Sequence, residues 1–164
     1  MKLRRLTELS LLTSVALIMF IIEQRFPDIA PIPGVKLGFA NIVTVYAVYR
    51  YHPGESAMMV TARLLLGALF SSNVSALIYS AAGAYLCLVG MLGVRYIIPE
   101  KHLWLCSVIG AMLHNTGQIA AAVVMMHTTA VISYFPVLMV SGTIAGLFTG
   151  ICTQFLVKRT NRSR

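Results

Sequence analysis

Six long apolar segments, separated by short polar turns, make up nearly the whole of this 164-residue chain. A bilayer has a hydrocarbon core about 30 Å thick, which a helix of roughly 20 apolar residues can cross. Hydrophobic residues are 58% of the sequence and charged residues 11%, so a soluble domain would lack polar surface to cover its core. The sequence therefore predicts an all-α, polytopic integral membrane protein.

Prolines, glycines and charged residues predict where each membrane span begins and ends. The apolar start resembles a signal peptide, but no small-residue cleavage site follows it, so we expect it to be retained. The second span is short and contains Asn41 and Thr44. The chain is predicted to form a single transmembrane domain, residues 1–164, with spans at residues 6–22, 37–51, 56–70, 74–98, 103–126 and 134–157.

The basic residues fall mainly on one side of these predicted spans. Arg25 and Lys36 lie on the opposite side, and Arg63 lies within the third span. Positive charges accumulate on the cytoplasmic side of membrane proteins, which predicts both termini in the cytoplasm of a multi-pass cell-membrane protein. The net charge of +8 then reflects topology, not nucleic-acid binding. The ten residues on the cytoplasmic side are Lys2, Arg4, Arg5, Arg50, Arg95, Lys101, Lys158, Arg159, Arg162 and Arg164.

Arg63 is the most informative polar residue, because it lies near the middle of the third span. An unpaired guanidinium there costs at least about 2.5–3.5 kcal/mol, so we expect it to face the bundle interior. The sequence allows two alternative partners for Arg63. Arg63 either pairs with Glu23 as a structural ion pair or binds an anionic ligand.

The fifth span carries His114, Asn115 and Gln118 three or four residues apart, on neighbouring parts of one helical face. They form either an interhelical hydrogen-bond set or a ligand site, and we expect no metal there, because one histidine and two amides are a poor ligand set. In the sixth span, Gly142, Gly146 and Gly150 recur every four residues. This spacing predicts a close helix-packing seam, within the chain or with a partner.

Three segments resemble a known family: GVKLGFANIVTVYAVY (34–49), ARLLLGALFSSNVSALIYSAAG (62–83) and GAMLHNTGQ (110–118). They look like the Gx transporter family, also called heptaprenyl diphosphate synthase component I, which is similar to the S components of energy-coupling-factor (ECF) transporters. The resemblance implies a six-helix, S-component-like bundle that binds a small molecule and works with a transmembrane coupling protein and two ATPases. Many S components dock through small residues early in the first helix. The matching positions here are Ser10 and Ser14, not alanines.

An enzymatic role is not expected from the residues. Prenyl synthases hold magnesium and diphosphate with two aspartate-rich clusters, whereas this chain has one aspartate, Asp28. It also lacks a Walker-type loop, and its cysteines, 87, 106 and 152, lie inside spans without metal-pair spacing. We therefore predict no catalytic site, metal or cofactor.

Two hypotheses remain. The first is a substrate-binding subunit that captures an anionic or amphipathic small molecule from outside, with Tyr79 or Tyr134 as pocket walls. The second is a non-catalytic accessory subunit of an isoprenoid, quinone or membrane redox system. An independent carrier is a weaker third idea, since two related halves are not visible. The residues predicted to contact the substrate are Lys36, Asn41, Arg63, Asn73, His114, Asn115 and Gln118.

Overall fold

The computed structural model describes residues 3–23, 40–70 and 74–162, without the side chains of 74–76 and 161–162. Within these ranges the regular structure is helical throughout, which confirms the all-α prediction. Two short 3-10 helices, Glu100–His102 and Ala130–Tyr134, precede the last two α-helices. The α-helices are α1 (Leu3–Glu23), α2 (Asn41–Arg50), α3 (Pro53–Phe70), α4 (Val74–Val94), α5 (Leu103–Met126) and α6 (Phe135–Arg162).

Four helical segments of the described ranges are long and apolar enough to cross a membrane: Leu3–Glu23, Leu77–Val94, Glu100–Met126 and Ala130–Thr160. They indicate a membrane protein, but with four candidate spans where the sequence predicted six. The ten residues of α2 extend only about 15 Å, half of the bilayer core. α3 has eighteen residues, but with its polar first turn and Arg63 it is not among these four segments.

α2 lies inside the bundle, which allows it to be short. All its residues are buried except Tyr46, Tyr49 and Arg50, which are partly buried. Neighbouring helices also bond to its backbone: Thr153 Oγ1 of α6 donates to the carbonyl of Ile42 at 3.2 Å. A helix surrounded by other helices does not need to match the thickness of the bilayer.

The basic helix ends meet at one end of the bundle, the basic end. Arg5 at the start of α1 pairs with Glu55 at the start of α3 at 3.0 Å. Gln154 of α6 donates to the carbonyl of Lys101, just before α5, at 2.8 Å. Arg95 follows the last residue of α4 and donates to the carbonyl of Val48 in α2, and α4 ends there, at Val94, not at the predicted residue 98. The described basic residues of this end are Arg4, Arg5, Arg50, Arg95, Lys101, Lys158 and Arg159.

α4, α5 and α6 pack closely through glycines on both sides of α5. A Cβ atom on Gly150 of α6 would lie 2.6 Å from the Cα of Trp104 in α5. On the other side of α5, a Cβ on Gly117 would lie 2.8 Å from the carbonyl oxygen of Ala82 in α4. Such distances to backbone atoms are possible only without a side chain. We refer to α4, α5 and α6 as the three-helix slab.

Candidate functional site

Arg63 lies inside the bundle, and only 4% of its surface is exposed. Burial of a guanidinium is costly unless anionic or polar groups compensate for the lost water. Glu23, the last residue of α1, is 5% exposed. Its carboxylate is close enough to stabilise the charge of Arg63 electrostatically. The structure therefore brings together the two residues that sequence analysis considered as a possible pair.

Side chains from the three-helix slab reach the same region. Cys87 of α4 and His114 of α5 both lie within electrostatic range of Arg63. Four helices thus contribute to one interior group, which we call the Arg63 cluster: Glu23, Arg63, Cys87 and His114. Sequence analysis placed Cys87 inside a span without assigning it to a site, because nothing in the sequence places it opposite α3.

His114 packs against α4, since a Cβ on Gly83 would lie 3.0 Å from Cε1 of its imidazole ring. A Cβ on Gly83 would lie 2.7 Å from the backbone oxygen of His114, so the glycine allows this approach. The ring nitrogen Nδ1 is buried and has no hydrogen-bond partner among the described residues. A buried polar atom left without a partner costs about 1–3 kcal/mol. The imidazole of His114 thus keeps one buried hydrogen-bonding atom that the described residues leave unused.

The polar residues of α5 are divided between two faces. Gln118 lies beside His114, since a Cβ on Gly83 would be 2.9 Å from the Cγ of Gln118. Asn115 lies on the α6 side, where its Nδ2 donates to the carbonyl of Leu138 at 2.6 Å. His114 and Gln118 therefore face α4, whereas Asn115 joins α5 to α6.

The structure does not connect the other predicted contact residues to the Arg63 cluster. Asn41 is buried at the first residue of α2. Lys36 and Asn73 lie outside the described residues. Of the predicted pocket walls, Tyr79 packs against an apolar group of α5 and α6 residues, while Tyr134 is exposed.

The residues predicted for helix packing or docking fall into two groups. Gly142 lies against Asn115, and Gly146 and Gly150 lie against the backbone of α5. Ser10 and Ser14 are exposed on α1, and Ser14 Oγ donates to the carbonyl of Ser10 at 3.0 Å. The three glycines thus allow α6 to pack closely against α5 within the chain, whereas the two serines lie on the outer face of α1.

A family model described as heptaprenyl diphosphate synthase component I matches residues 12–156. The matched range contains every residue of the Arg63 cluster and most of the length of α1 and α6. No curated protein and no solved structure is significantly similar to the chain.

Proposed function

The chain belongs to the heptaprenyl diphosphate synthase component I family, and on that basis we propose that it is a substrate-binding membrane subunit. It resembles the S component of an ECF-type transporter. In this proposal it captures a small anionic or amphipathic molecule from outside the cell. A transmembrane coupling protein and two ATPases then drive the release of the molecule into the cytoplasm.

The Arg63 cluster is the observation that supports a binding role. Ionisable groups inside membrane bundles are expensive, and they typically mark substrate or ion pathways. Arg63 is almost fully buried, and His114, whose Nδ1 has no hydrogen-bond partner among the described residues, lies within electrostatic range of it. A scaffold that required stability alone would be better served by apolar residues at both positions.

The proposed topology places the basic end in the cytoplasm, following the positive-inside rule. Glu23 and the loop after it then lie on the outer side, from which the substrate enters. α2 and α3 complete a six-helix bundle with the four long helices. α2 is shielded by its neighbours, so its short length is compatible with a position inside the membrane.

Purification of the tagged protein from its native membrane tests the proposal. We expect a bound small molecule and, in mild detergent, a coupling protein with two ATPases, all identified by mass spectrometry. Arg63→Ala should lose the small molecule while its far-UV circular dichroism stays helical. Arg4→Ala is the matched control, because Arg4 has a side chain that is 87% exposed and lies at the basic end. Retention of the molecule by Arg63→Ala would show that the site is elsewhere.

A second candidate is a non-catalytic accessory subunit, which the description of the matched family favours. In that case the same purification recovers another synthase component and no bound molecule. Arg63→Ala would then lower the melting temperature in detergent without affecting any ligand. The two candidates are therefore separated by one experiment.

A further inference from the structure

The basic end of the bundle has two corners that differ in how their charges are compensated. At the corner where α1 and α3 begin, Arg4 pairs with Glu8 at 3.4 Å. Arg5 of the same corner pairs with Glu55 at 3.0 Å. These four side chains carry no net charge together. The opposite corner, where α5 begins and α6 ends, is organised differently, and we call it the α5–α6 corner.

The fold brings two lysines together at the α5–α6 corner. Gln154 of α6 donates through Nε2 to the carbonyl of Lys101 at 2.8 Å, which places Lys101 against α6. Lys158 follows Gln154 by four residues, so it projects from the same face of α6, about 5.4 Å farther along the helix. Both lysines are exposed. They therefore reach the same part of the surface from two different elements.

The charges of these lysines are not compensated by the protein. Within the described ranges, neither Lys101 nor Lys158 has a carboxylate at ion-pair distance. Glu100 is the acid of this corner, and Arg159, the neighbour of Lys158, matches its charge. Two positive charges thus remain close together at the surface. An anion between two like charges relieves their repulsion, so the corner is suited to a negatively charged partner.

Large apolar side chains are exposed next to both lysines. Tyr96 and Ile97, in the turn between α4 and α5, are 77% and 81% exposed. Phe155 of α6 is 68% exposed and lies three residues before Lys158, on the same side of the helix. A soluble anion does not need such a surface. A phospholipid does, because its anionic headgroup is joined to acyl chains, and basic residues at a membrane surface recognise such headgroups.

We propose that the α5–α6 corner binds an anionic phospholipid. The ammonium groups of Lys101 and Lys158 contact the headgroup phosphate, and the acyl chains lie along Ile97 and Phe155. Lysine suits this role, because its three donors rotate on a flexible stem and bind phosphate as a point charge. Removal of one lysine should weaken binding by up to about fivefold. The lipid site is separate from the Arg63 cluster and does not depend on what that cluster binds.

Trp104 provides the test, because it is the only tryptophan of the chain and lies three residues after Lys101. The protein is reconstituted in phosphatidylcholine vesicles that contain phosphatidylglycerol brominated on its acyl chains near the headgroup. Bromine quenches tryptophan fluorescence on contact, and the same titration with brominated phosphatidylcholine gives the relative affinity. We expect wild-type protein to prefer phosphatidylglycerol by about fivefold or more. The preference should decrease as salt screens the lysines.

Two double variants with the same loss of charge separate this corner from the general attraction of a basic surface. Lys101→Gln combined with Lys158→Gln should bind the two lipids nearly equally. Arg4→Gln combined with Arg5→Gln removes the same charge from the opposite corner and should keep the preference. A melting curve for each variant confirms that it is folded.

The wild-type titration decides the question even if a variant does not fold. Equal quenching by the two lipids would overturn the proposal and would favour an acidic protein surface as the partner. Retention of the preference by the lysine variant, or its loss in the arginine variant, would also overturn it, since the attraction would then belong to the whole basic end. Loss of the preference when inorganic phosphate is added at constant ionic strength would show that the corner binds soluble phosphate and not lipid.

Discussion

An alanine at Gly150 should wedge α5 and α6 apart. The new Cβ would lie 2.6 Å from the Cα of Trp104 and 2.8 Å from the Cβ of Ser107. The first of these is a backbone atom that cannot rotate away. To restore ordinary van der Waals contact, the two helices must separate by roughly 0.8 Å along the seam. The single methyl group added by Gly150→Ala should therefore disrupt the packing of α5 against α6.

The chain provides a matched control in Gly93 of α4, where a Cβ would meet nothing within 4 Å. Both substitutions gain about 0.5–1 kcal/mol because alanine loses less backbone entropy than glycine in a helix. Only Gly150→Ala carries the overpacking cost of about 1–3 kcal/mol. The two variants should thus differ in stability by about 1–3 kcal/mol, which corresponds to roughly 2–12 °C in melting temperature for a chain of this size.

Thermal unfolding in detergent measures this difference. Trp104 lies in the seam and is the only tryptophan of the chain, so its fluorescence reports directly on the α5–α6 contact. A thiol-reactive dye gives an independent signal, because Cys87 and Cys106 are buried until the protein unfolds. Equal melting temperatures for Gly150→Ala and Gly93→Ala would refute the close packing of the seam.

Two further predictions concern individual hydrogen bonds. The hydroxyls of Ser107 and Thr149 lie 2.9 Å apart, and a double-mutant cycle to alanine should give a coupling of about 0.6–1.7 kcal/mol; zero coupling would show that the bond adds nothing. The hydroxyl of Tyr51, between α2 and α3, donates to Glu8 at 3.2 Å, and burial together with this carboxylate raises the pKa of Tyr51 to about 12. The folded state therefore favours the neutral phenol, and this stabilisation is present below pH 10 and lost as the pH rises from 10 through 12. Denaturation measured against pH should show this alkaline loss in wild type and a flatter profile in Tyr51→Phe; identical profiles would contradict the assignment.

The helices could be predicted from the sequence because their ends are marked by residues with strong local preferences. The start of α3 is an exception: the sequence predicts it at residue 56, but α3 begins at Pro53, because proline is tolerated in the first turn of a helix. The interior position of α2 could not be predicted, because lipid and protein interior both accept apolar side chains. Burial of α2 depends on how its neighbours are arranged around it, and a single sequence does not contain that information.

α6 shows the one signal that does separate the two environments. In the middle of α6, between residues 140 and 155, the residues that face the other helices are small, and the large ones are exposed where lipid would lie. This distinction concerns size, not polarity, so hydropathy cannot detect it. The buried set includes Gly142, Ala145, Gly146, Thr149 and Thr153, and the exposed set includes Val140, Ile144, Phe148, Ile151 and Phe155.

For the candidate site, the sequence identified Arg63 and His114 because both are costly inside a membrane. It did not separate His114 from Asn115. Successive residues of a helix point about 100° apart, so neighbours in sequence can face different helices. The structure places His114 toward α4 and Asn115 toward α6. A role in binding a substrate stays a prediction for both residues.

The glycine contacts of the three-helix slab also determine where the molecule can change shape. Backbones that touch at van der Waals distance cannot slide past each other without collision, so α4, α5 and α6 behave as one rigid body. Arg63 and Glu23 belong to α3 and α1, outside that body, whereas Cys87 and His114 belong to it. The distance between Arg63 and His114 would therefore change if α3 moved relative to the slab. If the proposed binding function holds, pairs of spectroscopic labels on α3 and α5 would show whether a substrate moves α1 and α3 relative to the three-helix slab.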